Sequence, residues 1–191
     1  MQTLALTDIN NTSACLEFVR LSSKYNIKPV LGVDFRNSTQ QQFVLIAKNN
    51  NGFFNINKYL SIFLHDPSMK IPEKAPHLED VFVIYPYIHQ KIYTLKNNEF
   101  IGIKPQDLNQ LKFSKWSTYR HKLVVLQTVS FQNKKGFNIH RLLRAIDNNT
   151  LLSKLPKSEQ GQETDILLPY NQLKNVYQEF PELLKNTMSI L

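Results

Sequence analysis

The 191-residue sequence has a single cysteine, Cys15. One cysteine excludes an internal disulfide and a cysteine-rich zinc site, and it agrees with a reducing compartment. There are only five glycines. None is arranged as a phosphate-cradling P-loop or a dinucleotide fingerprint, and there is no G-x-S-x-G turn to present a nucleophile. No apolar run approaches the roughly 18–20 residues that span a membrane. The opening residues MQTLALTD lack the basic and apolar stretches of a secretion signal, so the expected location is the cytoplasm. Internal repeats, RNP-type aromatic motifs and zinc-finger spacings are also missing. Motifs alone name no nucleophile, general base or cofactor site.

What remains is an ordinary globular composition, 42% hydrophobic and 20% charged, long enough for one domain with a real core. The net charge of +8 permits contact with nucleic acid or an acidic partner. The lysines are spread along the chain, in short groups such as Lys134-Lys135, Arg141 with Arg144, and Arg120-His121-Lys122. A solvated basic surface accounts for them equally well.

Periodicity supplies the organisation. Thr3–Thr7 reads as a buried strand. Asn11 or Thr12 can cap a following helix with Cys15, Leu16, Val19 and Leu21 as its apolar face, ending at Asn26. Val30–Phe35 and Gln41–Ala47 read as strands, and Asn49–Gly52 as a turn. Phe53, Ile56, Tyr59, Leu60 and Phe63 then recur at helical spacing. Residues 66–76 hold three prolines and read as a loop. Strands are expected at Val81–Tyr85, Phe100–Ile103 and Leu123–Leu126, with a short helix starting at Pro105. Another helix is expected over Phe137–Ile146, with Ile139, Leu142, Leu143 and Ile146 on one side. Thr150–Asp165 is polar and irregular, and helices near Asn171–Gln178 and Pro181–Ile190 close the chain. Alternating strands and helices predict an α/β fold with a mainly parallel sheet. Sites in such sheets gather at the carboxyl ends of strands. Asp8, Asp34 and the segment Thr128–Ser130 stand at such ends and are expected to converge.

Five segments in order carry a family resemblance: "LALTDINNTSACLEFV", "NIKPVLGVDF", "FVLIAKNNNGFFNINKYLS", "FNIHRLLRAIDNNTLL" and "FPELLKNTMSI". They resemble the PHP domain (polymerase and histidinol phosphatase) found at the N-terminus of bacterial DNA polymerase III alpha subunits. The resemblance implies a distorted (βα)7 barrel, incomplete at the N-terminus. The family's first strand and helix, about 35 residues, would precede Met1. Residues 1–191 would form a single partial PHP domain, with 150–191 a polar linker and closing helices leading toward the polymerase region.

Active members of the family hold metal ions on His, Asp and Glu and use them to hydrolyse phosphate esters, in some polymerases as a 3′–5′ exonuclease. In this chain the matching ligand positions are Ile9, Asp34, Gln42, Thr128 and Ser130. The H-x-H pair on the family's first strand has no counterpart. Several N or O donors at about 2.0–2.5 Å are needed to hold a metal, and only Asp34 is a plausible ligand. No metal, cofactor or catalytic residue is therefore expected. Asp8 is expected to cap the helix start rather than bind metal, and Asp34 to be hydrogen-bonded or solvated. His140 is expected to pack or hydrogen-bond. His65, His77, His89 and His121 show no ligand spacing. Trp116 and Tyr119 read either as a surface anchor or as boundary packing.

The resemblance implies a non-catalytic scaffold, with the rest of the alpha subunit and the proofreading exonuclease subunit as partners. The alternatives are a metal-dependent phosphoesterase or exonuclease with rearranged ligands, and a basic module that contacts DNA.

Overall fold

The computed structural model describes residues 2–66, 68–88 and 94–191; His89 lies outside the described residues. Two compact units are present, one of residues 1–126 with 176–191 and one of residues 127–175.

The first unit is built on one six-stranded sheet. Strands β1 (Thr3–Ile9), β2 (Lys28–Asn37), β3 (Gln40–Ala47), β4 (Val81–Pro86), β5 (Glu99–Ile103) and β6 (Leu123–Val125) neighbour one another in chain order. Helix α1 (Cys15–Ser22) connects β1 to β2, and α2 (Asn50–His65) connects β3 to β4. Two further helices belong mainly to this unit, α3 (Leu108–Lys112) and, at its closing end, α6 (Pro181–Ile190); between them the chain forms α4 (Lys134–Asp147) and α5 (Tyr170–Val176).

The sheet is mixed, so the mainly parallel expectation holds only in part. Pairs β1–β2, β4–β5 and β5–β6 are parallel, whereas β2–β3 and β3–β4 are antiparallel. The cause is local. Only Ser38 and Thr39 separate β2 from β3, and a two-residue link can only reverse the chain, because parallel neighbours need a long crossover. Ser38 takes the positive φ of 54° that such a turn demands. A six-stranded α/β sheet of this order is consistent with part of a PHP-type barrel.

The strands follow from alternation. Val30, Val44, Ile46, Ile84 and Val124 form one buried cluster with Ile190, and Ala5 packs against it. The opposite face of β2 and β3 buries Val33, Phe35, Phe43 and Leu45. Against it lies α2, whose Ile56 and Leu60 are buried. The Phe35 ring packs tilted against Tyr59, 5.4 Å between centres, and edge-on to Phe63 at 6.3 Å. The predicted turn at Asn49–Gly52 is in fact the start of this helix: Asn49 is the N-cap, and its Oδ1 accepts the Gly52 N–H at 2.9 Å.

Helix α6 covers the outer side of β6. Asn186 Nδ2 donates to the carbonyls of Arg120 and Leu123, both at 2.8 Å, and Thr187 Oγ1 accepts the Val125 N–H at 2.8 Å. These bonds satisfy strand groups that would otherwise be an open edge.

Helix α1 differs from expectation. Cys15 and Ser22 are its buried residues, and Leu16 and Val19 are exposed. It starts late because both predicted caps are engaged elsewhere. Asn11 Oδ1 accepts the Ser13 N–H, and the Thr12 hydroxyl donates to Asn57 Oδ1 at 2.7 Å.

In the second unit, Asn133 caps α4 by accepting the Gly136 N–H at 3.1 Å. The predicted apolar side of this helix faces solvent: Ile139, Leu142, Leu143 and Ile146 are all exposed. The covered side carries polar groups that hold the strap of residues 159–161. Gly161 N–H donates to His140 Nε2 at 3.1 Å, Arg141 Nε donates to Gln160 Oε1 at 2.8 Å, and Arg144 pairs with Glu159.

Candidate functional site

Asp34 and Arg36 stand two residues apart on β2, so both share the face of Val30. Asp34 is buried. Its Oδ2 accepts three bonds, from Arg36 Nε at 3.0 Å, Arg36 Nη2 at 2.7 Å and Gln41 Nε2 at 2.9 Å. Gln41 reaches the carboxylate through a register shift. Phe35 opposes Phe43, but Arg36 opposes Gln41, leaving Gln42 as the extra residue of a bulge. Gln42 turns its amide onto the Gln40 carbonyl at 3.1 Å and is not bonded to Asp34.

The base of Arg36 is fixed by Asn10. This residue has a φ of 48°, and its side chain imitates a strand rung. Oδ1 accepts the Arg36 N–H at 2.9 Å, and Nδ2 donates to the Arg36 carbonyl at 2.8 Å. Asn10 N–H donates to the Asp34 carbonyl at 3.0 Å. Close approach of β1 and β3 beneath this point requires Gly32, where an added Cβ would lie 2.2 Å from the Leu45 carbonyl oxygen.

Ile9 pairs with Asp34 across β1 and β2 and is 53% exposed. It sets an aliphatic chain beside the carboxylate. Asp8 pairs instead with Val33 and points to the other face. Its charge, after burial, is the second cause that pushes the Cys15 thiol above its ordinary value. Asp8 does not cap α1, whose N-cap is Ala14 with no side-chain bond.

Thr128 and Ser130 belong to the second unit. The Thr128 carbonyl accepts from Gln127 Nε2 at 3.3 Å, and Ser130 N–H donates to the Asp165 carbonyl at 2.9 Å. His140 hydrogen-bonds as expected. His65 Nδ1 lies 2.7 Å from the Ser61 carbonyl. Trp116 is buried, with the half-exposed Tyr119 ring 5.9 Å away, which is boundary packing for the former. Among the described residues no three His, Cys, Asp or Glu side chains converge as metal ligands do.

The PHP domain family matches residues 1–141. The chain belongs to the PHP family. Its relatives include DNA polymerase III subunit alpha of Streptococcus pyogenes serotype M3, 26% identical over 190 residues, which covers 96% of this chain and 17% of the relative. The same subunit of Ureaplasma parvum serovar 3 is 32% identical over 151 residues, 78% of this chain and 13% of that protein. The chain thus spans about a sixth of the length of the curated relatives it matches.

In this PHP domain the first unit's donor set does not suit a metal cluster. Asp34 Oδ2 is already taken by a guanidinium and an amide, Ile9 offers no donor, and Gln42 bends to its own strand. Beside Asp34, two buried acceptors have no hydrogen-bond donor among the described residues, Asp34 Oδ1 and Gln41 Oε1. A water could serve them. A second cation beside Arg36 would meet repulsion across a few ångströms in a weakly screened setting. Arg36, Gln41 and Asn10 were not singled out from the sequence. The i, i+2 spacing of Asp34 and Arg36 was the available signal for the first. No sequence pattern announces the bulge that brings Gln41 in.

Proposed function

We propose that this chain is a degenerate, non-catalytic PHP domain that acts as a structural scaffold in a cytoplasmic DNA polymerase III alpha subunit. The observation that carries this reading is the Asp34 carboxylate, held by Arg36 and Gln41 of its own sheet. A guanidinium supplies the positive charge that a metal ion would supply in an active member. It supplies no Lewis acid and no activated water. Docking of the proofreading exonuclease subunit onto the domain completes the proposed role.

The test is metal analysis and phosphoesterase assay of the purified chain, with and without chelator. The expected result is no stoichiometric Mn, Zn or Fe and no hydrolysis above background. Bound metal together with chelator-sensitive hydrolysis would overturn the scaffold reading in favour of rearranged ligands. Co-purification with the exonuclease subunit tests the docking role separately.

A specific observation supports a DNA-contacting role beside this one. Residues 108–146 contain eight lysines and arginines and no acidic residue, which equals the net charge of the whole chain, +8. Within that segment the Phe113 ring is 92% exposed, and open aromatic rings beside cations stack on unpaired bases. Binding to single-stranded DNA should then fall steeply with salt and weaken in Phe113→Ala. Salt-insensitive or absent binding removes this role.

A further inference from the structure

The six-stranded sheet closes one edge and leaves the other open. At β6, Asn186 and Thr187 of α6 occupy strand groups. At β1 the outer edge has no such cover among the described residues. Which groups stand open follows from the ladder. Lys28 N–H donates to the Gln2 carbonyl at 2.8 Å, and Asn10 N–H donates to the Asp34 carbonyl at 3.0 Å. The parallel register between these two bonds is unbroken. The even-numbered residues of β1 therefore turn their N–H and C=O toward β2, and Thr3, Ala5, Thr7 and Ile9 turn theirs outward.

A row of outward backbone donors and acceptors is matched by another strand. Strand β1 also lacks the devices that block such pairing. Thr3–Ile9 contains no proline, glycine, lysine or arginine, and Asp8 is its one charge.

The sequence of the strand says which strand fits. Turned antiparallel about Ala5, β1 meets itself with Thr3 opposite Thr7, Leu4 opposite Leu6 and Gln2 opposite Asp8. Hydroxyl then meets hydroxyl on one face, and on the other leucine meets leucine and an amide meets a carboxylate. A centre at Leu6 would set Asp8 against Leu4, and a centre at Leu4 would set Gln2 against Leu6. The Ala5 centre also brings outward-facing residues opposite one another, so Thr3, Ala5 and Thr7 of the two copies exchange about six backbone bonds. The arrangement has the two-fold symmetry of a closed dimer.

We propose that the outer edge of β1 pairs antiparallel, centred on Ala5, with the same edge of a second copy of this chain, joining the two sheets into one. The overall charge of +8 on each copy opposes association, so the dimer forms at high protein concentration.

The test is residue-resolved hydrogen exchange on the whole chain at low and high concentration, with sedimentation equilibrium over the same range. The expected result is a monomer–dimer equilibrium. The amides of Thr3, Ala5 and Thr7 should exchange freely in dilute protein and become protected in concentrated protein, while those of Leu4 and Leu6 stay protected throughout. Ala5→Pro removes an outward N–H and no bond to β2, and should leave a folded monomer. Gln2 is exposed. Gln2→Glu should weaken the dimer several-fold by facing the partner's Asp8, and Gln2→Lys should tighten it. A chain that is monomeric at every concentration overturns the proposal and leaves the edge to a strand of a different polypeptide. A dimer whose Thr3, Ala5 and Thr7 amides stay unprotected overturns it, as does one that survives Ala5→Pro or responds alike to the two Gln2 variants. If Ala5→Pro unfolds the chain, the amide pattern and the Gln2 pair decide alone.

Discussion

Helices α2 and α4 start alike and end up facing opposite ways. Each opens with an asparagine whose Oδ1 accepts the N–H of a glycine three residues on, Asn49 with Gly52 and Asn133 with Gly136. Each carries aliphatic or aromatic residues at i, i+3, i+4 and i+7, namely Ile56, Tyr59, Leu60 and Phe63 in one, Ile139, Leu142, Leu143 and Ile146 in the other. In α2 the stripe is covered by the sheet and by Phe35. In α4 it faces water, and the side held instead buries Phe137 and Ala145 among the polar groups that bind the strap. The pattern specifies a helix and one apolar face. What lies opposite decides which face is buried. An aromatic sheet surface draws in the stripe of α2, whereas Phe131 and a polar strap with acceptors for two arginines draw in the other side of α4, the side of Phe137 and Ala145.

The charged groups sharpen this contrast most. Arg36 and Arg144 both bond carboxylates, but Asp34 is buried, whereas Glu159 and Asp147 are partly or largely exposed. Arg36→Ala leaves an uncompensated buried carboxylate, which costs about 3–5 kcal/mol. Arg144→Ala leaves acceptors that water reaches, and should cost about 1 kcal/mol or less. Urea unfolding of both variants decides it. Equal losses would show that Asp34 is solvated in solution.

The aliphatic positions come next. Leu60→Ala opens a hole in the packed side of α2, at about 2–5 kcal/mol. Leu143→Ala, at the equivalent place in α4, should change stability by no more than about 0.5 kcal/mol. If Leu143→Ala at low protein concentration costs as much as Leu60→Ala, the stripe of α4 is buried in the monomer and the contrast fails.

Much of this fold is legible in the sequence, because period-2 and period-3.6 patterns report which residues can share a face. The strands through Val30–Phe35, Gln41–Ala47 and Val81–Tyr85 and the helix over Phe53–Phe63 could be placed this way. Three features could not. The reversal at Ser38-Thr39 carries neither glycine nor an Asn-Gly pair, so the hairpin left no strong turn signal. The bulge in β3 changes which glutamine meets Asp34, and alternation says nothing about a skipped residue. The outward stripe of α4 depends on contacts with residues 159–161, which no local pattern encodes. The site divides likewise. Ile9 beside Asp34 follows from matching strands, whereas the grip of Arg36 and Gln41 on Asp34 needed coordinates.

The two caps provide a smaller, matched test. Asn49→Ala and Asn133→Ala remove the same bond, worth about 1 kcal/mol at a helix start. If the units unfold together, both should lower the midpoint of the single transition by similar amounts. If they unfold apart, Asn133→Ala should move only a transition reported from the second unit. Far-UV circular dichroism with native-state hydrogen exchange on α2 and α4 separates these outcomes.

The smallest effect is pH-linked and arises on the inward side of α4. Burial, and then the charge of Arg144, hold the His140 imidazole below its ordinary value of 6.5. The groups around it agree with a neutral ring. Phe131 packs at 5.1 Å between ring centres, Gly161 N–H donates to Nε2, and Arg144 stands on the same helix with Glu159 as its counter-ion. Protonation removes the acceptor lone pair that Gly161 uses. Between the folded value and 6.5 the unfolded chain binds the proton more readily, so stability rises with pH across that window. The contribution is complete above about pH 6.5 and is lost as the pH falls below it. Thermal unfolding at pH 7.5 and pH 5.5 should show a larger drop for the native sequence than for His140→Gln, which keeps an acceptor and does not titrate. Identical drops would show that His140 does not carry the pH dependence, and would leave the strap held by Arg141 and Arg144 alone.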